Sequence, residues 1–298
     1  MRFLVPALAL LLALTASAHQ YIKPYGELKD EQKFKDYTVR IYRNEQPPPV
    51  TDKNPDHQDG LGCFEILKAG KQVYFQKGLI FAVQKSGDAG DTSNQIIFGR
   101  SINGDGKPYL VMQDGTGCHC CENYEVFEVG DTFRFIQKIE TTIGGQFKDL
   151  HRNGELELVM SDSMFEYWHC AGAENPYPTI ILRNQDGKYV PDLELMRKPA
   201  PTEMALQKMA KDFKAKFVDV QNAPFFDKWT APFEMWSGML DLIYSGNRNA
   251  AWKLCDLSWP VDHSGKADFL KEFKAQLAKS AYHKDIERLN VGSQTNAL

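Results

Sequence analysis

Beyond residue 18 the chain has no apolar run long enough to cross a bilayer, and neither sign of charge dominates: 35 Lys+Arg stand against 39 Asp+Glu, a formal net charge of −4. A mildly acidic balance disfavours nucleic acid and anionic membrane surfaces, which bind chiefly through clustered cations. No nucleic-acid partner and no membrane insertion of the mature chain are therefore expected. Familiar catalytic signatures are missing too: there is no Gly-x-Ser-x-Gly elbow, phosphate loop, dinucleotide fingerprint or His-Glu-x-x-His. The Gly-x-Gly sites fit neither nucleotide spacing and read as turns. The carboxylate pair Glu155 and Glu157 reads as the solvated face of a strand.

What is present begins with a leader. Arg2 supplies a positive charge, Phe3 to Leu14 an apolar stretch, and Ala16-Ser17-Ala18 a small-residue cleavage site, the pattern of a secretory signal peptide over residues 1–18. The mature chain is expected to begin at His19 and to be secreted or periplasmic. All 6 cysteines (Cys63, Cys118, Cys120, Cys121, Cys170 and Cys255) then fall in the exported part. An even count in an oxidising compartment favours disulfides, with too many pairings open to choose one. Cys118-His119-Cys120-Cys121 and His169-Cys170 leave zinc or copper as the alternative.

The organising feature is a repeat. Ser101-Ile-Asn103-Gly-Asp105-Gly106-Lys-Pro-Tyr109-Leu-Val-Met112 returns 48 positions later as Asp149-Leu-His151-Arg-Asn153-Gly154-Glu-Leu-Glu157-Leu-Val-Met160. Each copy is a polar loop running into a strand. Asp59-Gly60-Leu-Gly62-Cys63 likewise returns as Asp114-Gly115-Thr-Gly117-Cys118, and each is followed by alternation around a central Gly: 64–75 and 124–135. A third such segment, 179–190, turns at Asp186-Gly187. Alternation of period two about a turn residue predicts hairpins. Within this scheme residues 119–123 read as an insertion.

After Pro201 the period changes. Leu206, Met209, Phe213 and Phe217, then Phe233, Trp236, Leu240 and Ile243, then Phe269 or Leu270, Phe273 and Leu277 recur at helical spacing. The expected fold class is α+β: an N-terminal β-repeat domain over 19–200 and a helical region over 201–298. Units of loop, strand and hairpin at roughly 50 residues suit propeller blades, incomplete or open.

The duplicated loop resembles the calcium loops of FG-GAP or VCBS-type repeats of integrin-like propellers, whose pattern is Asp-x-Asn/Asp-x-Asp-Gly-x-x-Asp/Glu before a Leu-Val strand. The resemblance implies structural calcium at Asp149, Asn153 and Glu157, and at Asn103 and Asp105 in the first copy. Ser101, Tyr109 and His151 depart from it, and the Gly-Ala-Pro part of the family signature is missing; the other reading is of tight β-connecting loops without metal. Met112 and Met160 at the twelfth positions exclude an EF-hand, which needs a bidentate Glu there. The resemblance implies a binding or structural role, with a protein or glycan at the cell surface or in the periplasm as partner. A metal-dependent enzyme built on the Cys/His cluster or on the new N-terminal His19 is the rival. His19, with His57, His119 or His169 beside it, resembles the histidine brace of copper oxygenases, but the expectation is that no stoichiometric copper is retained.

Overall fold

The computed structural model describes residues 21–44, 61–87, 95–115, 122–170, 174–185, 187–217 and 231–291. The leader, His19, His57 and the Cys118–Cys121 cluster lie outside them. Strands come first and helices last, as the change of hydrophobic period predicts, and the class is α+β.

Three antiparallel sheets follow one another along the chain. The first has the order β1 (Glu27–Phe34), β2 (Tyr37–Arg43), β3 (Gly62–Lys68), β4 (Lys71–Gly78). In the second, β7 (Tyr109–Gly115), β8 (Asn123–Val129) and β9 (Phe133–Glu140) form a meander. There β5 (Ile80–Val83) and β6 (Phe98–Arg100) share the free edge of β7, pairing with Met112–Gly115 and Tyr109–Leu110 respectively. The third runs β10 (Gly145–Lys148), β11 (Glu157–Ser161), β12 (Thr179–Gln185), β13 (Lys188–Pro191). The hairpins expected at 64–75, 124–135 and 179–190 are β3–β4, β8–β9 and β12–β13.

The sheets stack face to face, and alternation shows how. On β7, Leu110 and Met112 face the first sheet with Phe64, Ile66, Val39 and Phe127, while Tyr109 and Val111 face the third. Side chains one residue apart point to opposite faces of a strand, so a strand buried on both faces reads as the continuous apolar run Tyr-Leu-Val-Met. The repeat preserves this arrangement one layer on. Leu158 and Met160, the counterparts of Leu110 and Met112, share a core with the second sheet, where the rings of Tyr124 and Phe147 meet at 5.2 Å. Each apolar side chain so buried contributes about 1.5–3 kcal/mol.

The helices α1 (Leu193–Met196), α2 (Glu203–Lys214), α3 (Phe233–Tyr244), α4 (Arg248–Ser258), α5 (Lys266–Leu277) and α6 (His283–Val291) complete the chain. Asp192 caps α1 by accepting from the N–H groups of Glu194 and Leu195, and Thr202 caps α2 through Ala205 N–H. Trp236, Phe269 and Phe273 lie in the same core as the third sheet and surround Phe165 and Trp168, which follow β11. Asp162 ties the two parts together. Its carboxylate accepts from Tyr244 Oη at 2.6 Å and Ser280 Oγ at 2.5 Å in a buried setting, and from Met164 N at 2.9 Å where the bond is part-buried; each hydrogen bond to a charged group is worth about 1.5–3 kcal/mol. Among the described residues no helix is long and apolar enough to cross a membrane.

Candidate functional site

Both copies of the duplicated loop connect strands at the same end of neighbouring sheets, β6 to β7 and β10 to β11, and they touch. Leu156 N–H donates to Ile102 O at 2.9 Å, and both side chains are buried in the shared core. Their fourth and sixth positions have left-handed backbone, Gly104 (φ 71°) and Gly106 (φ 72°) in the first, Arg152 (φ 56°) and Gly154 (φ 86°) in the second. Glycine takes that conformation without a Cβ clash, which accounts for the Gly shared at position six.

In the second loop the side chains turn inward. Asp149 accepts from the N–H groups of Asn153 and Gly154, both at 2.9 Å, and Asn153 Oδ1 accepts from Glu155 N–H at 3.0 Å. Glu157 is not on a solvated face: it is 2% exposed, with Oε2 accepting from Leu150 N–H at 2.8 Å and Oε1 lying 3.0 Å from His151 Nδ1. Glu155, the other member of that pair, is half-buried. The hydrogen bond and charge of Glu157 raise the His151 pKa above its ordinary value. The imidazole thus sits on the carboxylate from the position where the calcium-loop pattern has an oxygen.

The first loop faces outward instead. Asp105 accepts from Lys107 N–H at 2.8 Å and Tyr109 Oη at 2.7 Å, while Asn103 donates through Nδ2 to Tyr109 Oη and to Asn184 Oδ1, each at 3.3 Å. Burial pushes the Asp105 carboxyl up, but the bonds from Tyr109, Lys107 and Asn103 outweigh it and hold the pKa below its ordinary value. Burial, then the Asp105 carboxylate, pushes Tyr109 up to about 12. Asn184 lies near the end of β12, where its Oδ1 also accepts from Gly187 N–H of the β12–β13 turn at 3.0 Å. Between this turn, the first loop and Arg134 of β9 lies a pocket of about 420 Å³.

Calcium wants six to eight oxygen ligands. The first loop offers Asn103 and Asp105 with the Lys107 ammonium 3.9 Å from Asp105, and Tyr109 stands at the ninth position; this donor set does not fit a hard cation. The second brings Asp149, Asn153 and Glu157 around one loop, with His151 in place of a fourth side-chain oxygen. Among the described residues no group of three or more His, Cys, Asp or Glu is placed to hold a metal.

The cysteines divide. Cys63, Cys170 and Cys255 are buried free thiols, and burial pushes Cys170 up to about 11 and Cys255 up to about 12, so both stay protonated and poor ligands near neutral pH. His169 Nε2 lies 3.5 Å from Glu272. Comparison with known proteins adds no relative. No protein-family model matches the chain, and neither the curated proteins nor the solved structures contain a significant match.

A further polar group lies between the first two sheets. Glu125, 2% exposed, and Asp114 both have carboxyl pKa values raised by burial, with Tyr74 Oη 3.3 Å from Glu125 and Gln76 Nε2 3.5 Å from Asp114. Glu125 stands two and four residues before Phe127 and Val129, on the same face of β8, so its inward placement is readable in the sequence. The approach of Asn184 and Arg134 to the first loop is not, because no local pattern links β9, β12 and residues 101–108.

Proposed function

We propose that this chain is an exported recognition protein in which three blade-like sheets form an open stack, with the helical region covering the last of them. The Ala16-Ser17-Ala18 leader supports export. The equivalence of Leu110 and Met112 with Leu158 and Met160, each set turned toward the preceding sheet, supports the blade reading.

One observation carries the functional part: the first duplicated loop and the β12–β13 turn meet through Asn103 and Asn184 at the wall of a polar pocket. Rigid strands that present loops around a cleft are a common arrangement for binding. The polar groups there hold one another, and the described thiols are buried, so binding is a better fit than catalysis. Calcium has one place to go, the second loop at Asp149, Asn153 and Glu157, and it would act there as a structural ion.

The test is adsorption of the purified mature chain to the surface of the cells that produce it. Adsorption is expected, and changing Asp105 and Arg134 together to Ala should reduce it about tenfold, the loss of roughly 1.4 kcal/mol. Undiminished adsorption by the double variant would remove the loop from the binding surface. Stoichiometric zinc or copper in the purified chain, with hydrolytic or oxidative turnover, would favour the metal-dependent enzyme.

A further inference from the structure

Each copy of the duplicated loop contains an asparagine followed by glycine, Asn103-Gly104 and Asn153-Gly154. That dipeptide carries its own chemistry. With no side chain on the glycine to obstruct it, the glycine backbone nitrogen can attack the side-chain amide carbon of the asparagine, an intramolecular reaction whose only co-reactant is water. Asparagine is thermolabile in proteins for this reason.

The two loops prepare the amide carbon alike. Asn103 Oδ1 accepts from Asp105 N–H at 3.3 Å and Asn153 Oδ1 from Glu155 N–H at 3.0 Å, so each carbonyl already faces a donor for the oxyanion that attack would form. They differ at the nucleophile. Gly154 N–H is held by Asp149 Oδ2 at 2.9 Å, a hydrogen bond to a charged acceptor that must break before the nitrogen reacts, and the carboxylate opposes loss of the amide proton. Asp149 Oδ1 also fastens Asn153 N–H, so the peptide groups on both sides of Asn153 are pinned. Among the described residues nothing accepts from Gly104 N–H, and Gly104 is exposed, so its nitrogen meets water. What restrains Asn103 is on its amide nitrogen: Nδ2 donates to Tyr109 Oη and Asn184 Oδ1, both at 3.3 Å, longer than a good hydrogen bond. Exposure alone ranks the pair the other way, since Asn153 is exposed and Asn103 half-buried.

We propose that Asn103 is a self-modifying site, converted through a succinimide to aspartate and isoaspartate, while Asp149 protects Asn153 in the other copy from the same reaction. Gly104 N bonds to Asn103 Cγ and gives its proton to solvent. The Cγ–Nδ2 bond breaks, and the nitrogen takes a proton from solvent and leaves as ammonia. Water then opens the ring at either carbonyl, so one amide and one water give one carboxylic acid and one ammonia with no change of oxidation state. The product lacks both Nδ2 donors, and its carboxylate stands close to that of Asp105, because Ser101 Oγ is 3.5 Å from Asn103 Oδ1 and 3.4 Å from Asp105 Oδ1. The tie to Asn184 is lost. The first loop thus changes with the age of the molecule and the second does not, whatever the chain binds.

The experiment is incubation of the purified mature chain at mildly alkaline pH, in buffer and in concentrated urea, followed by peptide mass mapping. Each conversion adds one mass unit and, in heavy-oxygen water, takes up one heavy oxygen. In buffer Asn103 is expected to convert at least about tenfold faster than Asn153, equivalent to about 1.4 kcal/mol of barrier, and in urea the two rates should converge because the dipeptide is the same. Asp149→Ala frees Gly154 N–H and should speed Asn153 by about tenfold while leaving Asn103 as it was. Equal rates in buffer, faster loss of Asn153, or an Asn103 that survives in buffer while converting in urea would each overturn the assignment, and these three readings need no variant to fold.

Discussion

Residues 101–108 and 149–156 follow one backbone path twice, left-handed at the fourth and sixth positions of each copy, yet their side chains do opposite things. In the second copy Asp149 and Glu157 close on their own loop, accepting three bonds from backbone N–H groups and meeting one imidazole. In the first, Ser101 and Tyr109 stand at those two positions. With no carboxylate at either end, Asn103 turns outward and reaches the β12–β13 turn. A repeat can thus keep its conformation through two left-handed residues while substitution at two other positions separates a copy closed on itself from one that reaches the β12–β13 hairpin.

The ninth position should show the largest difference. Glu157→Ala leaves Leu150 N–H and His151 without their acceptor in a buried place, and a cost of about 3 kcal/mol is expected from urea unfolding. Tyr109→Phe at the same position of the first copy removes only the hydroxyl and should cost about 1 kcal/mol. Equal losses would mean that the two loops hold the fold alike. Next come the first positions. Asp149→Ala removes the acceptor of two N–H groups and should cost about 2 kcal/mol, whereas Ser101→Ala, whose hydroxyl makes only weak contacts of 3.4 Å and 3.5 Å, should cost less than about 0.5 kcal/mol.

Much of this division was legible in the sequence. The α+β class follows from the shift from period two to helical spacing after Pro201, and burial of β7 on both faces follows from Tyr-Leu-Val-Met. The departures Ser101, Tyr109 and His151 mark where the calcium-loop pattern fails. Two things were not legible. The inward turn of Glu157 depends on the shape of the loop behind it, since alternation alone puts Glu155 and Glu157 on one face and the chain leaves the strand between them. The pocket depends on β9 and β12, brought to the first loop only by stacking of sheets that are far apart in the chain. Long-range juxtaposition of that kind has no local signal.

The copies should also fail at opposite ends of the pH scale. His151 is raised in the folded state, so the stability it adds is fully present below its ordinary value of 6.5 and is lost as pH rises through the folded value. Asp105 is lowered, so its contribution is present above its ordinary value of 3.8 and is lost as pH falls through the folded one. The protection of amides around 149–157 against exchange, corrected for the intrinsic rate, should therefore fall as pH rises past the ordinary imidazole value, and that around 101–108 as pH falls below the ordinary carboxylate value. His151→Ala should abolish the first effect and leave the second. Calcium adds a sharper reading: an ion held by Glu157 would displace the imidazolium and lower the His151 midpoint in an NMR titration. A midpoint unmoved by calcium excludes the ion from the second loop.

The smallest expected effect concerns the one backbone residue at which the copies differ in comfort. Position four is Gly104 in the first loop and Arg152 in the second, both left-handed, and a Cβ in that region costs roughly 1–2 kcal/mol. Arg152→Gly should relieve that strain, but it also gives the unfolded chain more freedom, which offsets up to about 1 kcal/mol. Arg152 is exposed, so its side chain adds little to oppose the change. A net gain of about 0.5 kcal/mol is expected, small but resolvable as a shift in the urea midpoint at unchanged slope. The reverse substitution, Gly104→Arg, should cost more than the gain, because it brings a Cβ into the left-handed region at φ 71° and obliges the Glu155 carboxylate to move aside. If Arg152→Gly instead destabilises the chain by more than about 1 kcal/mol, the side chain of Arg152 has work that the second loop's own hydrogen bonds do not account for, and the second copy is not purely structural.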